Sequence, residues 1–144
     1  MYNIEKTHWG YRLTFGGATD VNELTAWLEE SRRILSNQED EFYVFVDMRT
    51  LIPLDKEAQV PMYEGQKLYR AKGMVRSVVI LSSPVVAAQF RRIGGETGIG
   101  KWERYIDAST VADWEERGLN WLFNEIDPET AANANNSSRI KIAR

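Results

Sequence analysis

Two short runs constrain this chain more than anything else in it: Phe42–Met48 (FYVFVDM) and Val75–Leu81 (VRSVVIL). Both are almost continuously apolar and rich in β-branched and aromatic residues. A strand with one face in water alternates apolar and polar side chains, so a run without alternation must be covered on both faces. Helices supply that cover, and the segments flanking these runs have helical spacing. The expectation is an α/β fold whose parallel strands are joined by right-handed helical crossovers.

The remaining elements fall around this pair. Residues 2–16 (YNIEKTHWGYRLTFG) alternate in type and turn at Trp9-Gly10, as a hairpin does, with Ile4, Tyr11, Leu13 and Phe15 facing inward. Thr19 or Asp20 offers an N-cap, and Glu23 lies three residues after Asp20 in capping-box fashion. Val21, Leu24, Leu28 and Leu35 follow at helical spacing, with Trp27 and Ile34 widening the stripe. After the first buried run comes the loop RTLIPLDKE, then a helix from about Ala58 to Ala71 ended by Gly73; Pro61 is tolerable only in its first turn.

Ser83-Pro84 reads as a helix start, Ser as cap and Pro at the first position. Val85, Ala88, Phe90 and Ile93 are its expected buried side, and the glycines of GGETGIG its stop. Glu103–Ile106 reads as a short strand. Ser109 or Thr110 caps a last helix with the stripe Val111, Trp114, Trp121 and Leu122, and Gly118 inside it implies a close packing contact. The order is β-β-α-β-α-β-α-β-α, a mostly parallel five-stranded sheet with packed helices. It occupies residues 1–126, and 127–144 form a low-complexity tail.

Composition removes several classes of function. The 144 residues are 43% hydrophobic and 27% charged, enough for a self-sufficient core. Cysteine is absent, which excludes disulfides and thiolate chemistry. The N-terminal residues MYNIEKTHWGYR show no signal-peptide pattern, and no apolar run approaches a membrane span, so cytoplasmic location without membrane insertion is expected. Eighteen basic against 21 acidic residues leave a charge of −3, which argues against nucleic acid as partner.

The element order, the strand ending in VFVDMR and the short strand ending in YIDAS together resemble the STAS domain. This is the SpoIIAA-like fold of the anti-sigma-factor antagonists, close in architecture to lipid-binding SEC14 domains, and the resemblance spans about Ile4 to Phe123. It implies a non-enzymatic regulatory module that docks onto a protein partner, a homodimer being a further possibility. Many family members are switched by phosphorylation of a Ser in an Asp-Ser-Ser-Gly-like motif at the start of the helix after the central strand. Here Asp55 suits that motif, but Lys56 and Glu57 stand in place of the serines and no Gly follows. The ancestral switch is therefore expected to be lost, with Thr50 the one phosphate acceptor in that loop.

Other constellations reduce to structural readings. Gly95–Lys101 satisfies the GxxxxGK of a phosphate loop, yet it follows a helix and precedes a strand, the reverse of what phosphate binding needs. His8, the sole histidine, cannot make a two-His metal site and reads as a half-buried strand residue. Asp47, Asp55 and Glu57 flank the loop after the buried strand, where three carboxylates could hold a hard cation. Local capping accounts for them more simply.

That strand end is nevertheless where open α/β sheets bind ligands, and Arg49 adds a donor for an anion. Asp47, Arg49, Thr50, Asp55, Lys56 and Glu57 are therefore the candidate partner- or ligand-binding residues, with no catalytic residue, metal or cofactor expected. The alternative function is a carrier holding a lipid or apolar anion beneath the following helix. Lys67, Arg70, Lys72 and Arg76, with Arg91-Arg92, could also face an anionic partner. The end RIKIAR could add a strand to a neighbouring sheet.

Overall fold

In the computed structural model, which describes residues 1–130, the strands are β1 (Tyr2–Lys6), β2 (Gly10–Phe15), β3 (Phe42–Met48), β4 (Met74–Leu81) and β5 (Glu103–Asp107). They lie side by side in chain order, β1 antiparallel to β2 and every other neighbour parallel. The helices are α1 (Val21–Leu35), α2 (Gln59–Ala71), α3 (Pro84–Thr97) and α4 (Trp114–Asn124). A 3-10 turn over Ile99–Trp102 leads into β5. The α/β class and the element order match the sequence expectation.

The two unalternating runs are covered on both faces, as their composition demands. Phe42, Val44, Val46 and Met48 of β3 point into a core shared with α1, α2 and α3. Phe45 of β3 and Val78 and Ile80 of β4 point the other way, into a smaller core closed by Leu119, Trp121 and Leu122 of α4.

Caps and glycines set where the helices begin and end. The Asp20 carboxylate accepts the Glu23 backbone N–H at 2.9 Å, starting α1 as its spacing requires. The Ser83 hydroxyl accepts Val86 N–H at 3.3 Å, with Pro84 in the first turn. The buried stripe of α3 is Val86, Phe90 and Ile93, whereas Val85 and Ala88 are exposed. The expected stripe was one residue out of phase at its start, because Val85 and Val86 are indistinguishable until the helix phase is fixed.

The α3 helix also runs on through Gly94 and Gly95, and stops only where Gly98 takes the left-handed conformation at φ 88°. Gly94 serves packing: a Cβ there would stand 2.7 Å from the Tyr105 hydroxyl. Gly65 likewise lets α2 settle onto the indole of Trp27, and a Cβ on Gly118 would meet Phe45 Cε2 at 2.8 Å. The close contact expected at Gly118 is thus present.

The last helix begins at Trp114, later than Ser109 or Thr110 would have started it. Ser109 instead donates both its N–H and its hydroxyl to the Asp107 carboxylate, at 2.9 and 2.6 Å, which closes a turn on the end of β5. Beyond α4 the first residues of the expected tail run beside β5. Asp127 pairs with Arg104 at 3.1 Å. Glu129 pairs with Arg91 at 2.6 Å and accepts the Tyr105 N–H at 3.3 Å. The RIKIAR end lies outside the described residues. Among the described residues no helix is long and apolar enough to cross a membrane.

Candidate functional site at the carboxyl end of the sheet

The six candidate residues fall into two groups on opposite faces of the sheet. Asp47 alternates with the buried residues of β3 and so emerges on the α4 side. There the Arg49 side chain grips its carboxylate with two hydrogen bonds, Nε to Oδ1 at 3.0 Å and Nη2 to Oδ2 at 2.9 Å. The Arg49 N–H adds a third at 3.1 Å, and the guanidinium lies 4.2 Å over the Trp114 ring. Burial pushes the Asp47 carboxyl up, and the Arg49 hydrogen bonds and charge more than reverse it, leaving it below its ordinary value. The same hydrogen bond raises the Arg49 guanidinium. Asp47 and Arg49 thus satisfy each other and pin the start of α4.

Asp55, Lys56 and Glu57 lie on the other face, at the head of α2. The Asp55 Oδ1 accepts Ala58 N–H at 2.8 Å and caps the turn that leads into the helix. Lys56 and Glu57 are exposed. Thr50 sits between the two groups, its carbonyl accepting the Gly17 N–H at 2.9 Å. The three carboxylates therefore do not converge. Among the described residues no group of three or more His, Asp or Glu side chains could hold a metal ion.

The loop between these groups is held down. Leu51 and Leu54 are buried, while Ile52 and Pro53 are exposed. Gln89 of α3 clamps Leu54 from beneath: its Oε1 accepts the Leu54 N–H at 2.9 Å and its Nε2 donates to the Leu54 carbonyl at 2.8 Å. Gln59 donates to that carbonyl as well, at 3.2 Å, and Arg92 hydrogen-bonds Gln59. Loop, α2 and α3 are knitted into one surface by Arg92 and by two glutamines, Gln59 and Gln89, that the sequence reading did not single out. A glutamine can clamp a backbone from many positions, and its two-sided amide leaves no spacing to read.

Beside this network α2 and α3 enclose a cleft of about 300 Å³, lined by Lys56, Val60, Tyr63, Arg92 and Ile93 among others. Large apolar side chains stand in solvent at this end of the molecule, among them Ile52 at 52%, Val60 at 63% and Val85 at 57% exposure. These three belong to the loop, the first turn of α2 and the first turn of α3. Beneath α2 lies a separate cavity of about 40 Å³, walled mainly by apolar side chains, with Gln66 and Glu103 among them.

The remaining sequence candidates are structural. His8 is exposed in the β1–β2 turn rather than half-buried in a strand. The Gly95–Lys101 stretch joins the end of α3 to β5, in the helix-to-strand context expected of it. The basic stretch divides: Lys67, Arg70 and Lys72 are exposed on α2, whereas Arg76 is mostly buried. Its guanidinium donates to the Trp121 and Leu122 carbonyls at 2.7–3.1 Å and caps α4. Arg92 pairs with Glu96 at 2.7 Å.

Compared with known proteins, the chain matches no family model, no curated protein and no solved structure.

Proposed function

We propose that this protein is a non-enzymatic docking module of STAS, SpoIIAA-like type, and that it receives a protein partner on the surface formed by the loop after β3, the head of α2 and the first turns of α3. The observation that carries this reading is the exposure of Ile52, Val60 and Val85 at one end of the molecule, where Val60 lines a polar-rimmed cleft. Apolar side chains ringed by polar ones are the makings of an interface, and the Gln89 clamp presents them on a rigid base. The sequential strand order with an antiparallel β1 and the helix distribution support the STAS assignment. Lys56 and Glu57, where the family carries serines, support docking without the phospho-switch.

The carrier alternative has less support. A cavity that admits benzene measures roughly 150 Å³, and the space beneath α2 is about 40 Å³. The test compares proteins retained by the immobilised wild type, by Val60→Asp and by Arg49→Ala, identified by mass spectrometry. The docking reading expects Val60→Asp to lose one defined protein about tenfold, some 1.4 kcal/mol, while Arg49→Ala keeps it. A folded Val60→Asp variant that retains every protein at wild-type strength overturns the reading. A small molecule that co-purifies in stoichiometric amount revives the carrier.

A further inference from the structure

Glu103 at the start of β5 is a buried carboxyl, 4% exposed, with no ion pair among the described residues. Its surroundings allow its hydrogens to be counted. Ser77 Oγ on β4 lies 2.6 Å from Glu103 Oε2, and Tyr105 Oη lies 2.6 Å from Oε1. The same Tyr105 Oη lies 3.0 Å from the Phe90 carbonyl of α3, an approach that Gly94 makes possible. A tyrosine hydroxyl carries one hydrogen and can give it to only one of these two oxygens. If Glu103 were a carboxylate, Tyr105 would have to turn to it, leaving the Phe90 carbonyl against a bare lone pair. If Glu103 keeps its proton, every one of the three contacts holds a hydrogen.

We infer that Glu103 is protonated in the folded protein and acts as a proton-held latch: its hydrogen goes to Tyr105 Oη, whose own hydrogen goes to the Phe90 carbonyl, tying β4, β5 and α3 together. On ionisation the proton leaves to solvent, Tyr105 turns its hydrogen to the carboxylate, and the tie to α3 is lost. The latch stands on this geometry and does not rest on the docking reading. It does reach the docking surface, because Phe90 follows Gln89, the residue that clamps Leu54.

The neighbouring groups leave the proton in place. Burial pushes the carboxyl up, and the hydrogen bonds from Ser77 and Tyr105 pull it only part of the way back. From α2, Gln66 and Tyr69 wall the same cavity; both are uncharged, Tyr69 because burial raises its phenol. Thr97 at the end of α3 takes up the Gln66 amide oxygen at 2.8 Å. Arg91 of α3 stands 4.6 Å over the Tyr105 ring, but its charge is answered by Glu129. Since the folded protein holds this proton more tightly than the unfolded chain, its stabilising effect is complete below the ordinary glutamate pKa of about 4.3. It drains away as pH rises from there to the folded value.

A carbon-13 titration of the glutamate carboxyls in the full chain tests the latch. One resonance is expected to hold its protonated position after the other glutamates have moved, and to be missing in Glu103→Gln. The Leu54 amide is expected to shift with that late transition. The melting temperature of wild type relative to Glu103→Gln is expected to fall as pH rises above the ordinary glutamate pKa of about 4.3. Should Glu103→Gln fail to fold, Tyr105→Phe identifies the resonance by displacing it alone. Glutamates that all titrate together, or a melting-temperature gap independent of pH, overturn the latch; a Leu54 amide that stays still overturns its reach to the loop.

Discussion

The two faces of the sheet solve the same covering problem by different means. On one face α1, α2 and α3 bury interlocked rings: Trp27 stacks on Tyr69 at 5.7 Å and meets Phe15 edge-on at 5.2 Å. On the other, α4 is the one helix among the described residues that covers β3, β4 and β5. Arginines complete the job, Arg12 lying 4.5 Å over Phe45, Arg49 4.2 Å over Trp114 and Arg104 4.1 Å over Trp121. Their carbon stems and guanidinium planes shield rings while their charges stay near water. A face closed by shape complementarity is intolerant of any change in volume. One closed by long charged side chains should yield gradually, and this contrast can be tested.

The largest effect belongs to the ring-packed face. Trp27→Ala is expected to cost about 3–5 kcal/mol, since it empties a site bounded by Phe15, Tyr69 and α2. Urea unfolding measures it, and a loss under about 1 kcal/mol would mean that the face collapses readily and the contrast is false.

A matched pair sharpens the comparison. Gly65→Ala drives a methyl into the Trp27 indole and is expected to cost about 1–3 kcal/mol. Gly118→Ala meets the edge of Phe45 less closely, at 2.8 Å, while both positions gain the same roughly 1 kcal/mol of helix propensity. Its net cost should therefore be the smaller. The reverse order in thermal melts would show α4 to be the tighter-packed side.

Smaller again is Asp47→Asn, worth less than about 1 kcal/mol at neutral pH because half of its pair with Arg49 faces water. The carboxyl is depressed in the folded state, so its contribution is present above about pH 3.9 and lost as pH falls through the folded value. The gap between variant and wild type should close in acid. A gap that widens there would contradict the geometry of the pair. The smallest expected effect is none: Lys101→Ala leaves stability and nucleotide affinity unchanged, and calorimetry showing micromolar, Mg²⁺-dependent nucleotide binding that this variant abolishes would refute it.

What the sequence made legible followed from period and caps. Phe42–Met48 announced a doubly covered strand, Asp20 and Ser83 announced helix starts, and Gly118 announced a close contact, because each rests on local geometry. The site was less legible. Asp47 and Asp55 are eight positions apart in one loop region, yet strand alternation sends the first to the α4 side and the second to the α2 side. Leu51 and Leu54 folded under while Ile52 stayed out, Leu51 bridged to Gly17 and Leu54 held by Gln89 from a helix more than thirty residues away. Val60 and Val85 are exposed in first turns whose phase was not fixed until the helices were docked.

The segment Asp127–Glu129 has a consequence for how copies of the molecule can meet. Glu129 already occupies the Tyr105 N–H, and Arg104 already occupies the Glu103 carbonyl at 2.9 Å. A visiting strand therefore finds that rim of the sheet spoken for, while β1 has no neighbour on its outer side among the described residues. A sheet with one closed rim and one open rim can join a second copy back to back, and growth then stops for want of another free edge. Self-association by strand addition through the described residues alone would end in a pair and not in a ribbon.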